Sequence, residues 1–449
     1  MTPKGEQATA KPRLGPRPLP LHMAAAAGTW TSSLAGLQML RSGSLDWRPE
    51  LAESARELRK NLAGIDPAAV DAALDAEVRR RLYDFISGVL AYRRHPYRRS
   101  LADPPAVWAE GQIRLLDYGA TNAAARDGVP VLVVPSLINR AYIVDLSERK
   151  SLLRYLASQG LRPLLADWGW PGPRERKFSL SDYIAGALED MLAATVRITK
   201  RKPVVLGYCM GGLLALALAV LRPNDTAGLA LLATPWDFHC RRGEQARLAA
   251  AALGPLDPVI EQFGELPVDM LQAMFTSLDP LGSARKFMAF AALSQSADPS
   301  PATQARIEEF VALEDWLNDG VPLVAAVARE CLGSWYGSND PARGAWRVGG
   351  KNIEPGKVRC PSLVVIPAQD RIVPPESAES LVSAIPGAER MTPPLGHIGM
   401  VVGSRAEAML WKPLADWTAR AAAASAKSKT ASARRRARPR RSAAEPPAG

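Results

Sequence analysis

Pro203-Val-Val-Leu-Gly-Tyr-Cys-Met-Gly-Gly-Leu-Leu-Ala-Leu-Ala-Leu-Ala-Val-Leu221 is read first as a strand and then as a helix. Pro203 to Tyr208 is a short continuous apolar run, the signature of a buried strand, and Gly211 to Leu221 continues as an apolar helix. The two are joined by Gly207-x-Cys209-x-Gly211, a sharp turn in which small residues flank one nucleophilic side chain. Such a turn lifts the side chain above the strand ends. It also sets the Met210 N–H at the start of the helix, where it can donate to a developing oxyanion while the helix dipole favours a thiolate. Taken alone, the pentapeptide favours a nucleophile turn over the plainer reading of a glycine-rich turn with an incidental cysteine.

Working outward, short apolar runs alternate with amphipathic segments. Val129 to Val134, Arg162 to Trp168, Gly228 to Thr234, Ser362 to Ala368 and Glu389 to Thr392 read as strands. Lys150 to Ser158, Ser181 to Lys200, Glu376 to Ala384 and Ala406 to Arg420 read as helices. This alternation predicts a mostly parallel sheet covered on both faces. Between Phe238 and Gly349 the rhythm breaks into helical or irregular sequence, as expected of a cap inserted over a site.

Chain order supplies the chemistry. Asp370 follows the strand Ser362 to Ala368, and His397 follows the next strand, in Gly396-His-Ile-Gly. Nucleophile, then acid, then histidine, each past a strand end, is the order of the α/β-hydrolase fold. His22, His95 and His239 have no such setting and are read as structural. The expected site is Cys209 as nucleophile, Asp370 as acid and His397 as base. Backbone donors are expected from Met210 and from either Leu137 or Ile138, in the segment after the Val129 strand.

The rest of the chain bounds this reading. Its 449 residues, 47% hydrophobic and 22% charged, suit a globular protein with a sizeable core. The apolar run Leu213 to Leu221 is too short to cross a bilayer, and the N-terminus lacks the layout of a signal peptide, so a cytoplasmic location is expected. The four cysteines, 209, 240, 331 and 360, show no metal-ligand spacing and are expected as free thiols. The net charge of +11 resides mainly in the tail: residues 421–449 hold eight basic residues and one acid, a net +7, leaving +4 on residues 1–420. That tail is expected to be disordered. It is a candidate to contact nucleic acid or another anionic surface, against the plainer reading of a solubilising tail. The expected organisation is a disordered 1–20, a helical extension 21–127, a first core half 128–237, a cap 238–349, a second core half 350–420 and the basic tail 421–449.

Several motifs stand in order: Val134-Pro-Ser-Leu-Ile-Asn-Arg-Ala-Tyr-Ile-Val-Asp-Leu, Asp167-Trp-Gly-Trp-Pro, Asp182-Tyr-Ile, Gly207-Tyr-Cys-Met-Gly-Gly, Thr234-Pro-Trp-Asp-Phe, Asp370-Arg-Ile-Val-Pro-Pro and Gly396-His-Ile-Gly. As a set, over about residues 130–417, they resemble the catalytic subunit of polyhydroxyalkanoate synthases, the short two-subunit (class III) type most. The resemblance implies an acyltransferase that polymerises (R)-3-hydroxyacyl-CoA and releases CoA, with no metal or redox cofactor. It implies that Cys209 is acylated, that His397 is its base, and that Asp370 also helps activate the substrate 3-hydroxyl. The implied partners are the acyl-CoA, a polyester granule surface, and a second copy or second synthase subunit. Where that family often has a histidine after the acid, this chain has Arg371. Two other readings stay open: an intracellular polyester depolymerase or acyl-thioester hydrolase, and a non-catalytic granule-surface or nucleoid-tethering protein.

Overall fold

A computed structural model describes residues 12–240, 243–298 and 300–436. The chain forms two compact units, one of residues 1–99 with 269–319 and one of residues 100–268 with 320–449.

The larger unit is built on an eight-stranded sheet. In chain order its strands are β1 (Ala106–Glu110), β2 (Ile113–Asp117), β3 (Val129–Val134), β4 (Leu161–Asp167), β5 (Val204–Tyr208), β6 (Gly228–Leu232), β7 (Ser362–Val365) and β8 (Glu389–Met391). They lie side by side as β1-β2-β4-β3-β5-β6-β7-β8. β1 and β2 run antiparallel, β2 runs antiparallel to β4, and every later neighbour is parallel. The central strands β5, β6 and β7 are buried at every residue, because helices cover both faces. The register sets Val134 beside Gly207 and Tyr208 beside Leu232, and aligns Val365 with Leu232. Thus the loops leaving β3, β5, β6 and β7 emerge at one sheet edge. That shared edge assembles the site.

The hairpin of β1 and β2 falls inside the stretch expected to be a helical extension, 21–127. Its sequence, Ala106-Val-Trp-Ala-Glu and Ile113-Arg-Leu-Leu-Asp about Gly111, becomes strand because β2 finds a partner in β4.

The smaller unit contains the helices Leu19–Ser42, Pro49–Leu62, Pro67–Arg94, Gly282–Ser294 and Pro301–Asn318. Phe287 meets Phe85 and Tyr92 edge-on at 6.4 and 5.7 Å between ring centres, and Phe290 stacks on Phe310 at 4.1 Å. The approach is so close that a Cβ added to Gly88 would lie 1.9 Å from the Phe287 carbonyl oxygen. The stretch 238–349, expected as one cap, is therefore divided: 269–319 packs with the N-terminal helices, and the remainder belongs to the α/β unit. Residues 12–20, expected to be disordered, are fixed within the smaller unit. Arg13 pairs with Asp315 at 2.6 Å and Arg17 with Asp269 at 2.7 Å. Residues 1–11 lie outside the described part.

At the other end, the last helix runs from Lys412 to Arg436, well into the tail expected to be disordered. Alanine, lysine and arginine are among the best helix formers, so a run of them prolongs a helix already nucleated on the core. Ala421 still packs, at 4% exposure. Residues 437–449 lie outside the described part. Among the described residues no helix is long and apolar enough to cross a membrane.

Candidate active site

Cys209 sits between β5 and the helix Met210–Leu221 with φ 56° and ψ −128°. A side chain other than glycine is strained there, by about 1–3 kcal/mol. Two backbone hydrogen bonds, each contributing about 1 kcal/mol net, hold the turn: Cys209 N–H donates to Leu232 O at 2.8 Å, and Gly212 N–H donates to Cys209 O at 2.9 Å. The flanking glycines are required by contact. A Cβ on Gly207 would lie 2.5 Å from Gly212 Cα, and one on Gly211 would lie 2.1 Å from Val134 O. The turn is thus pressed against the end of β3.

Asp370 and His397 come from the loops after β7 and β8. Those loops are tied together by Ala368 N–H donating to Pro393 O and Gln369 N–H to Leu395 O, both at 2.9 Å. Asp370 Oδ1 accepts the amides of Ile372 and Val373, each at 2.8 Å, which fixes the carboxylate plane. Its Oδ2 accepts from His397 Nδ1 at 2.7 Å. With Nδ1 so engaged, Nε2 is the nitrogen for the thiol, and His397 is hydrogen-bonded to Cys209. Tyr208 O–H donates to the His397 carbonyl at 3.1 Å, which ties the histidine loop to β5. Burial by itself lowers the imidazole pKa. The Cys209 charge and the Asp370 and Cys209 hydrogen bonds override it and raise the pKa to about 10. The structure brings all three side chains together.

The expected backbone donors divide. Met210 is the first helical residue, where the N–H has no intrahelical partner. The Ile138 N–H is occupied, donating to Ser136 Oγ at 3.1 Å, and the Ile138 carbonyl accepts from Val321 N–H at 2.8 Å. Of the pair Leu137 and Ile138, Ser136 takes the amide of Ile138 and not that of Leu137.

One wall could not be read from spacing alone. Tyr336 lies close enough to Cys209 that, beyond burial, the sulfur's charge adds to the upward push on its phenol pKa. Phe238 packs against Tyr336 and Trp335 with ring centres 4.9 and 5.9 Å apart, and Trp346 meets Trp335 at 5.5 Å. Asn339 ties the two chain stretches, its Nδ2 donating to Asp237 Oδ1 at 2.8 Å and its Oδ1 accepting Phe238 N–H at 2.9 Å. Thr234-Pro-Trp-Asp-Phe was the one visible sign of this wall. His239 contributes a ring nitrogen 2.8 Å from the Tyr336 carbonyl. The other acidic motif residues are scaffold: Asp167 pairs with Arg114 at 2.5 Å, and Asp182 closes a capping box with Ser179.

The cysteines differ sharply in setting. Burial pushes the Cys331 thiol well up and raises that of Cys360. Cys209 alone among the described cysteines faces a histidine held by a carboxylate.

Comparison with known proteins agrees with this architecture. The profile described as Poly-beta-hydroxybutyrate polymerase (PhaC) N-terminus matches residues 101–156. Poly(3-hydroxyalkanoate) polymerase subunit PhaC of Haloferax mediterranei is 28% identical over 317 residues, covering 70% of this chain and 63% of that protein. The subunit of Allochromatium vinosum is 27% identical over 319 residues, covering 70% of this chain and 87% of its own length. That of Synechocystis sp. is 29% identical over 301 residues, 64% and 77% of the two chains. The aligned stretch thus spans under two thirds of the Haloferax relative. With its profile matching residues 129–404, more than half of this sequence, the chain belongs to the alpha/beta hydrolase fold family, and within it is similar to the poly(3-hydroxyalkanoate) polymerases.

Proposed function

We propose that this chain is a polyester synthase that transfers 3-hydroxyacyl groups from CoA through a Cys209-bound acyl intermediate. The observation that carries the reading is a cysteine, in place of a serine, in the strained turn facing His397 and Asp370, in a chain similar to poly(3-hydroxyalkanoate) polymerases.

The thiolate attacks the thioester carbonyl, and the negative charge on its oxygen falls to the amides of Met210 and Leu137. Collapse expels CoA as thiolate, which takes the His397 proton, leaving neutral imidazole and an acyl-thioester on Cys209. Neutral His397, oriented by Asp370, then removes the proton from a 3-hydroxyl as its oxygen attacks an acyl-thioester carbonyl. An ester forms, a cysteine or CoA thiolate leaves, and the proton count closes. A thiol suits this cycle: CoA to cysteine is thioester for thioester, nearly isoenergetic, whereas a serine ester would be a poor acyl donor to the next hydroxyl.

An aromatic wall of Phe238, Trp335, Tyr336 and Trp346, with Tyr336 beside Cys209, supports acyl transfer over hydrolysis, since apolar rings near an acyl-enzyme disfavour attacking water. The test is incubation of the pure protein with (R)-3-hydroxybutyryl-CoA. CoA release with insoluble polymer is expected. CoA release with free hydroxyacid would make it a hydrolase. Neither product, with or without a second synthase subunit, would leave the non-catalytic tether.

A further inference from the structure

The oxyanion side of the site is held by a piece of the insertion. After β3 the chain runs Pro135-Ser-Leu-Ile-Asn139. Its start is clamped: Pro135 O accepts from Trp168 Nε1 at 3.0 Å, and the backbone of Val134 lies against Gly211. Its end is tied to the insertion, since Val321 N–H donates to Ile138 O at 2.8 Å and Asn139 bridges Gly320 in antiparallel fashion. Segment 320–324 is anchored in turn on its far side. Leu323 and Val324 pair with Leu266 and Glu265, and Ala325 N–H donates to Gly264 O at 3.0 Å. A small apolar cavity, lined by Leu137, Trp168 and Tyr183 on one side and by Val321, Leu323 and Val327 on the other, marks where the two pieces meet. Ile138 is thereby fixed twice, by Ser136 Oγ at its N–H and by Val321 at its carbonyl.

We infer that segment Gly320–Val324 is a positioning element for the oxyanion donor: the Val321 amide, through Ile138, holds the Leu137 N–H at the distance from Cys209 that acyl transfer needs. The inference rests on the reading of Cys209 as the acylated residue. A donor displaced by even 1 Å forfeits about a hundredfold in rate, so the strap acts on acylation and leaves the thiol and His397 untouched.

The test uses the full chain and two reagents. Acylation is read as the p-nitrophenolate burst from p-nitrophenyl butyrate, which needs an oxyanion hole whatever the natural acyl group. Alkylation of Cys209 by iodoacetamide, read by intact mass, is a direct displacement that needs none. Val321→Pro removes the N–H and should lower the burst rate about a hundredfold, with alkylation unchanged within about twofold. Val321→Ala keeps the N–H and should restore most of the burst. Ser136→Ala, which frees the Ile138 amide without altering the chain path, should give a smaller loss in the same direction. Burst and alkylation falling together in Val321→Pro, or an unchanged burst in both Val321→Pro and Ser136→Ala, overturns the strap. A normal burst in Cys209→Ala overturns instead the reading on which it rests.

Discussion

The two flanks of the site are held by different kinds of structure. On the acid–base flank, Asp370 and His397 hang from adjacent parallel strands. Their loops are bonded to each other, and Tyr208 of β5 holds the histidine backbone. The ties there join two neighbouring loops at the end of the central sheet to each other and to β5. On the oxyanion flank, Met210 is fixed by the turn, but the Leu137–Ile138 segment depends on Val321, nearly two hundred residues later. In the proposed mechanism, proton transfer would then rest on loops of the central sheet, while carbonyl activation would be shared with an insertion. The comparison predicts that damage to the two flanks is separable.

The largest effect tests whether the flanks share one centre. Cys209→Ala should lower CoA release by at least ~10³-fold with the fold retained, since the change removes a nucleophile and little volume. Acylation found by mass spectrometry on Cys240, Cys331 or Cys360 in this variant would break the comparison outright. Cys331 and Cys360, whose thiols burial holds protonated, should stay unmodified.

Asp370→Asn should damage the acid–base flank alone, and unequally. A thiol next to a poorly oriented imidazole is still acylated, whereas a 3-hydroxyl attacks only with a well-oriented base, so elongation should fall ~10²–10⁴-fold. Intact mass should find short acyl chains on Cys209 and little polymer. An equal fall in acylation and elongation would overturn this unequal dependence of the two steps on Asp370.

The electrostatic link between the flanks can be titrated. His397 is raised to about 10 against its burial, with the Cys209 charge first among the raising causes. Removing the thiol should let burial reassert itself, so in Cys209→Ala the His397 pKa moves down. Imidazole NMR, with only four histidines to assign, reads this directly. A value unchanged from wild type would show that Asp370 alone sustains the imidazolium.

How much of this was legible in the sequence follows the same division. Cys209, Asp370 and His397 each stand at a strand end in a pattern a few residues long, and their order in the chain completes the site. Spacing does not separate Leu137 from Ile138, because what distinguishes their amides is Ser136 Oγ accepting from Ile138, a side-chain turn two residues wide. The wall residue Tyr336 carries no local signal. Its place depends on Asn339 bonding to Asp237, about a hundred residues back. The division of the insertion was hidden for a similar reason. Phe287 and Phe310 choose Phe85, Tyr92 and one another as neighbours by fit, and helical periodicity identifies a buried face without naming its partner. The tail lacks any residue that could build a core, but its alanine, lysine and arginine carry helix propensity that prolongs the last helix.

The smallest effect is expected outside both flanks. Every contact described at the site involves residues before 400, while the last helix continues through Ala421, which packs, to Lys427, which is exposed. Truncation after Lys427 keeps the packed part and removes Lys429, Arg434, Arg435, Arg436, Arg438, Arg440 and Arg441 with one acid, Glu445. Turnover in dilute buffer should stay within about twofold, because surface changes away from buried contacts rarely exceed ~0.5 kcal/mol. Binding to duplex DNA, if the tail mediates it, should fall with salt at a log–log slope of up to about −0.9 per phosphate contacted. The truncated chain should lose that slope. Equal retention of both chains on DNA at low and high salt would remove the tail as an anionic-surface contact. A tenfold loss of turnover on truncation would show that the site has a third support, and that the two flanks do not exhaust what holds it.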